Sequence, residues 1–524
     1  MPSLYFLVFL YIIAFAPLNA IWAQKTPSSS HQDTQQESSH TSKASNKSIY
    51  NLFQALQDVT QQHPLLQSKA FEIQGQEYAW QASQKLLAPQ LNANFNLNND
   101  LVTIADPLTM GQEREIETEQ QKLELSVVQP FRWGSQLSVG LAHNLTETNN
   151  PFRNCVPGIS SEQCYENRIS LSLTQPLLRG AGSDVNLAEE RWNEKAKKLV
   201  WQQSRTQINQ LIMESIQTYV NVSLLQAQYD LEQNELAVIQ KQMQQTQTQI
   251  ELGVIAASEL YTIQSAHAQR MQSALQVKRN LHQAQLTLEQ LIGKALEQPL
   301  QLPSIPQLKI AMTLPKQTPN WPNLPTLSAI KTQIQQAQIR LLQAEDQQKP
   351  QLDLNLVWSQ SGLGESIQEA LEALPENKSR FYGFSVTFSQ PLSSRNRLIT
   401  QQNHSQMKAL QAEYKRTKQR LQSEWKILQQ ASPALQKQLQ WARKSVQSAQ
   451  KSWQASKSKA QEGRGTQFEV LEMQNRMLQA RFSVLSLQHD IFMNVIQKLN
   501  LTDQLLTTFG IELDLARLRT LKMD

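Results

Sequence analysis

"RISLSLTQPLLRGAGSDVN", Arg168 to Asn186, begins as a strictly alternating strand, breaks at Pro176, passes two glycines and leads into more than a hundred residues without a further proline. Ile169, Leu171 and Leu173 fall on one face, and Ser170, Ser172 and Thr174 on the other, the period of two that marks a strand with unlike faces. Gln175 and Pro176 mark the strand's end, because proline cannot donate to a sheet ladder. Gly180 and Gly182 then give the backbone freedom to turn from strand into helix.

Composition agrees with long elements. Only 15 of the 524 residues are glycine, far below the usual share, which leaves little material for tight turns. The charge, 49 basic against 44 acidic residues, is spread without a basic block, so there is no electrostatic footprint for nucleic acid. No HExxH, GxSxG or P-loop is present, "GAGSDV" and "GRGTQF" complete no phosphate fingerprint, and the eight histidines are scattered. Neither an enzyme, a metal site nor a cofactor is therefore expected.

Residues 1–23 read as a signal peptide, cut after Ala23 or alternatively Ala20, since the apolar run is shorter than the roughly 20 residues of a membrane-spanning helix. Residues 24–48 are a polar low-complexity tail, expected to be disordered. In an exported chain the two cysteines, Cys155 and Cys164, favour a disulfide closing a small loop, worth about 2–3 kcal/mol.

The remainder is written twice. Pro64 is followed 25 residues later by "PQLNANFNL" at Pro89, and Pro325 is followed 25 residues later by "PQLDLNLVW" at Pro350. "LTQPLLRG" is echoed by "FSQPLSSR" around Gln390 and Pro391. Gly253, Glu259 and Gln264 keep the offsets of Gly463, Glu469 and Gln474. The halves run over 49–298 and 323–510, joined by a Pro-rich linker at 299–322 and followed by a tail at 511–524. The first half is longer by an insertion that holds the cysteines.

Beside those landmarks the sequence alternates. Leu91, Ala93, Phe95 and Leu97 oppose Asn92, Asn94 and Asn96; Leu352, Leu354, Leu356 and Trp358 oppose Asp353 and Asn355; Tyr382, Phe384, Val386 and Phe388 oppose Gly383, Ser385 and Thr387. A half-buried soluble sheet gives the same pattern, but strand length and aromatics near strand ends favour a transmembrane barrel. Four core strands cannot close one alone, so other copies of the chain must complete it. The insertion adds two weaker strands, "KLELSVVQPF" and "SQLSVGLAH", which either extend the barrel outward or form an extra surface hairpin at about 100–165.

Long helices are expected over 184–250 and 396–460, with return helices over 256–296 and 466–504. In the first, Ile208, Leu211, Ile212, Ile216, Tyr219 and Val220 recur at three- and four-residue steps among polar residues, a coiled-coil stripe. Pro433 is expected to kink the second.

These features together, and "QPLLRGAGSDVN" in particular, resemble outer-membrane efflux proteins of the TolC type over residues 50–510. The resemblance implies a mixed membrane protein with internal duplication. Long antiparallel helices would form a periplasmic α-barrel, and a transmembrane β-barrel would be completed by trimerisation, four strands per chain making twelve. It implies an outer-membrane homotrimer that serves efflux or type I secretion. A periplasmic adaptor (membrane fusion) protein would dock at the hairpin tips Gly253, Val254 and Gly463, fed by an inner-membrane pump of RND or ABC type. Acids of the entrance ring would fall on Glu259, Glu469 and Glu472, with Thr262 where a fourth acid might stand, and Arg464 would hold the closed tip against a neighbour. A secreted or periplasmic coiled-coil structural or adaptor protein would explain the helices but not the two-faced strands.

Overall fold

The structure, a computed structural model, describes residues 50–105, 113–149, 154–156, 159–160, 163–293, 295, 302–303, 319–376 and 379–511. The expected signal peptide, polar tail, most of the Pro-rich linker and the C-terminal tail lie outside the described residues, as does the side chain of Cys155. Cys164 is disulfide-bonded.

The first helix, Leu52–Gln62, starts at a reciprocal cap: the Gln54 N–H donates to Asn51 Oδ1 at 2.8 Å, and the Asn51 N–H donates to Gln54 Oε1 at 3.0 Å. Pro64 and Pro325 each occupy the first turn of a helix, Pro64–Ser83 and Pro325–Asp346, where a missing N–H costs nothing. Pro89 and Pro350 stand immediately before strands β1 (Gln90–Ala105) and β7 (Gln351–Gly364). The repeated 25-residue spacing therefore measures one helix and its turn into the sheet.

Strands β1, β2 (Glu113–Pro130), β3 (Gln136–Thr148), β6 (Gln163–Pro176), β7 and β8 (Arg380–Ser389) form one antiparallel sheet in the order β1-β2-β3-β6-β7-β8. The short β4 (Asn154–Val156) and β5 (Ile159–Ser160) pair separately. Of the two alternatives for the insertion, a separate surface hairpin is not what forms: β2 and β3 lie within the sheet, between β1 and β6, and the chain has six strands there where four were expected. Register gives the reason. Leu91 stands opposite Val127, Val127 opposite Val139, Val139 opposite Leu171, Leu171 opposite Trp358, and Trp358 opposite Tyr382. A single apolar face thus continues across all six strands, because directly opposed residues share a face.

The turn of the inserted hairpin is fixed in place as well. The Gly182 N–H donates to the Trp133 carbonyl at 3.0 Å, and the rings of Phe131 and Trp133 stack 5.0 Å apart. Gly134 has φ +98°, and a Cβ there would lie 2.2 Å from the Gly180 carbonyl oxygen. Only glycine fits between this turn and the strand–helix junction. Among the described residues nothing covers the apolar face: Phe384 is 79% exposed and Phe95 64%.

Away from the sheet the chain is helical. Ala188–Glu251 returns as Ser258–Ile292, and Arg395–Gln461 returns as Gln467–Leu501. Ile208, Leu211, Ile212, Ile216, Tyr219 and Val220 are all buried, packed with Leu56, Val59, Leu288, Ile292 and Ile496 in the main core. Among the described residues no helix is long and apolar enough to cross a membrane.

Helix Arg395–Gln461 runs through Pro433 without a break. One turn before the proline, the Leu428 carbonyl accepts from Asn494 Nδ2 at 3.2 Å and from Ser432 Oγ at 3.3 Å. Lys498 reaches into the same polar cluster and donates to Ser432 Oγ. Burial lowers its pKa from the usual 10.5 because desolvation disfavours the ammonium. An unfolded chain binds this proton more readily, so stability rises with pH between the depressed pKa and 10.5 and is lowest below that window. Lys498→Met is expected to raise the apparent Tm at neutral pH, with the gain over wild type shrinking towards pH 10.5; thermal unfolding at several pH values measures it, and no gain at neutral pH contradicts the assignment.

Candidate functional site

The end of the molecule farthest from the sheet consists of two hairpin tips, built alike. Leu252 closes the first long helix; the Gly253 N–H then donates to the Ile250 carbonyl and the Val254 N–H to the Gln249 carbonyl, both at 2.9 Å. Glu462 closes the second; the Gly463 N–H donates to Ala460 O at 3.2 Å and the Arg464 N–H to Lys459 O at 2.9 Å. This paired pattern is the Schellman cap, which requires a left-handed residue after the helix. Gly253 and Gly463 supply it with φ +75° and +73°. Both glycines face open space, so the backbone angle and not crowding demands them.

Past each tip the return helix starts with an acid in its first turn, Glu259 and Glu469, where the helix dipole favours negative charge. Thr466 caps the second return helix by accepting from the Glu469 N–H at 3.3 Å. Glu259 leaves its own hairpin: its Oε2 accepts the Gln467 backbone N–H at 3.1 Å and so joins the first tip to the second return helix. Within one chain the Glu259 carboxylate thus meets the start of the second return helix, two residues before Glu469. Glu472 pairs with Arg476 at 2.6 Å, and Arg464 lies 3.8 Å from Glu462 while remaining 80% exposed. Thr262 only back-bonds to Ser258 O at 3.5 Å. Leu252, Val254, Tyr261 and Phe468 leave an exposed apolar surface around the tips.

Farther up the hairpins is a cluster that the sequence reading missed. Glu232 and Glu235 are buried. Glu232 lies 3.5 Å from Arg270 and accepts from Ser273 Oγ at 2.9 Å. Glu235 accepts from Gln474 Nε2 at 2.6 Å and lies 3.4 Å from Arg481. Arg270 also donates to Asn475 Oδ1. First hairpin and second return helix are thereby tied by charge, beside the apolar contact of Ile239 and Ile263 with Leu471. The available signal was phase: Glu232 and Glu235 fall at helical steps with Leu236 and Ile239, on the buried stripe.

The junction residues lie at the opposite end of the long helices. β6 stops at Pro176, and Gln175 Nε2 donates to the Pro176 carbonyl at 2.6 Å. Gly180 and Gly182 have φ +78° and +98°. The Gly180 N–H donates to the buried Asp346 carboxylate at 2.8 Å, and Asn186 Nδ2 donates to the carbonyls of Gly180 and Gly182, both at 2.8 Å. Gln390 and Pro391 close β8 without such glycines; there Asn396 Nδ2 donates to Gln347 O at 2.6 Å.

Glu235→Ala leaves Gln474 and Arg481 without their acceptor; losing charge-assisted hydrogen bonds at a buried carboxylate costs about 2–3 kcal/mol. The expected outcome is a lower apparent Tm in detergent, with Glu235→Gln recovering part of the loss. Wild-type stability for Glu235→Ala would contradict the tie.

Residues 322–497 match the family model for outer membrane efflux protein. No curated protein gives a significant match by sequence. Solved structures similar in fold include CusC, at 14% identity, covering 88% of this chain and 92% of that one with a TM-score of 0.63. They also include VceC of Vibrio cholerae, at 13% identity, 88% and 97% coverage and a TM-score of 0.60. The CmeC outer membrane channel of Campylobacter jejuni gives 12% identity, 94% and 96% coverage and a TM-score of 0.61. The resemblance to the TolC type thus rests on sequence in the second half and on fold across most of the chain: residues 322–497 match the outer membrane efflux protein model, and the described chain has the fold of these channels.

Proposed function

We propose that the protein is a trimeric channel-tunnel giving an exit duct across the periplasm and outer membrane, for efflux or type I secretion. The carrying observation is the six-stranded sheet, whose continuous apolar face has no protein cover and whose two edge strands have no further strand partner among the described residues. Such a surface is stable against lipid and unstable in water. In hydrocarbon every backbone N–H and C=O must be paired, so the edges have to meet strands from further copies.

The helices support the same assembly. The second long helix has 67 residues, of which Thr417, Leu421, Trp425, Leu428 and Ala460 are buried, while Ile427 and Trp441 stay exposed. A helix of that length reaches about 100 Å, and its uncovered apolar residues fit packing against a neighbouring copy around a tunnel. At the far end, Leu252, Val254, Tyr261 and Phe468 offer a periplasmic adaptor an apolar docking surface, through which an inner-membrane pump would deliver cargo.

Three copies of Glu469 and Glu472 around a narrow axis would focus negative potential and hold cations. Purified protein is expected to need detergent, to run as a heat-modifiable trimer and to conduct in planar bilayers. Alanine at both Glu469 and Glu472 is expected to raise the concentration of divalent cation needed for block by roughly tenfold. Unchanged block removes these residues from the entrance, and a detergent-independent soluble monomer removes the channel itself.

A further inference from the structure

We infer that the assembled wall in the membrane has eighteen strands, six from each of three copies, and that β2 and β3 are lipid-facing staves of it. This inference rests on the reading of the chain as a trimeric outer-membrane channel.

Membership of the inserted hairpin in the wall follows from two independent features. The first is register: Leu123, Leu125 and Val127 of β2 and Leu137, Val139 and Leu141 of β3 lie on the face that carries Ile169, Leu171 and Leu173 of β6. Their neighbours Ser126, Ser138 and Gly140 lie on the face of Ser170 and Ser172. A hairpin standing in water has no use for an apolar face at that level. The second is the seat of its turn, held to the strand–helix junction through Trp133, Gly134 and Gly182. The hairpin therefore turns back at the end of the wall from which the long helices depart, as the short turns of membrane barrels do.

Closure has to come from the two edges. β1 leads away from its helix and β8 leads back to one, so β8 of one copy and β1 of the next meet antiparallel. Both edges carry the same two-faced pattern, Leu91, Ala93, Phe95 and Leu97 on one and Tyr382, Phe384, Val386 and Phe388 on the other. A single copy cannot close on itself around a channel: about eight strands already leave an interior that side chains fill. The inner face here, with Asn92, Asn94, Asn355, Ser385 and Thr387, is polar, as a wet lumen requires. Barrel diameter grows roughly linearly with strand number, so eighteen strands make a wall about one and a half times as wide as twelve.

Single cysteines at Val127 and Val139 in the inserted strands, and at Leu171 and Leu356 as references, are to be labelled with a thiol-reactive fluorophore in the full-length protein and reconstituted into vesicles containing brominated lipid. All four side chains are accessible in the single chain. Quenching by brominated lipid at Val127 and Val139 is expected to reach that of the references to within about twofold. If Val127 and Val139 respond to aqueous iodide alone while the references respond to lipid, the hairpin stands outside the wall and the inference falls. Loss of lipid quenching at Leu171 and Leu356 too would instead overturn the channel reading. Cysteine pairs joining Asn92, Asn94 or Asn96 to Ser385 or Thr387 are expected to give three-chain products on non-reducing gels; intrachain products alone would overturn closure between copies.

Discussion

Everything in this fold answers to an unpaired backbone. The sheet ends at β1 on one side and β8 on the other, and each edge presents N–H and C=O groups that hydrocarbon cannot solvate. An apolar face beside open edges is incompatible with both water and lipid while the chain is alone. On the proposed channel reading, assembly would be a condition of the sheet's existence in a membrane, and the helices would inherit the symmetry it imposes. The second long helix shows this inheritance most plainly, since so little of its surface is buried within one copy.

The transition from sheet to helix is where constraint is densest. Pro176 ends a ladder, Gly180 and Gly182 reverse the sign of φ, and Asp346, Asn186 and Trp133 satisfy the backbone groups thus released. The tips are simpler: one left-handed glycine each turns a long helix back, and Glu259 links the two hairpins at little cost. Asp503 shows what the glycines avoid. It holds φ +58° without being glycine, beside Arg205 at 2.7 Å; burial raises its carboxyl pKa, against the pull of Arg205 and Asn209.

Much of this was legible in the residues. The 25-residue proline spacing marked helix-to-strand turns, the equal offsets from Gly253 and Gly463 marked tips, and the alternation at Ile169 and Leu354 marked staves. The membership of β2 and β3 in the sheet was not. Val127 and Val128 sit side by side, Pro130 follows, and the upper part of β2, "EREIETEQQ", is polar for half its length, so the apolar face emerges only when pairing aligns Val127 with Val139 and Leu171. Glu232 and Glu235 escaped for a related reason: among abundant glutamines an acid reads as solvated, and only its phase with Leu236 and Ile239 betrays burial. The three expected entrance acids, by contrast, would in the proposed trimer be set by neighbouring copies as much as by their own chain.

The inserted hairpin also fixes how such a wall can change size. In an antiparallel sheet one added strand would reverse every strand after it and carry the following helix out on the wrong side of the membrane. Growth must come in pairs, with the new turn seated where the old junction leaves room, as Gly134 seats against Gly180. Parity, rather than affinity for lipid, then decides which insertions such a sheet can keep, and in the proposed threefold assembly each accepted pair would become six strands at once.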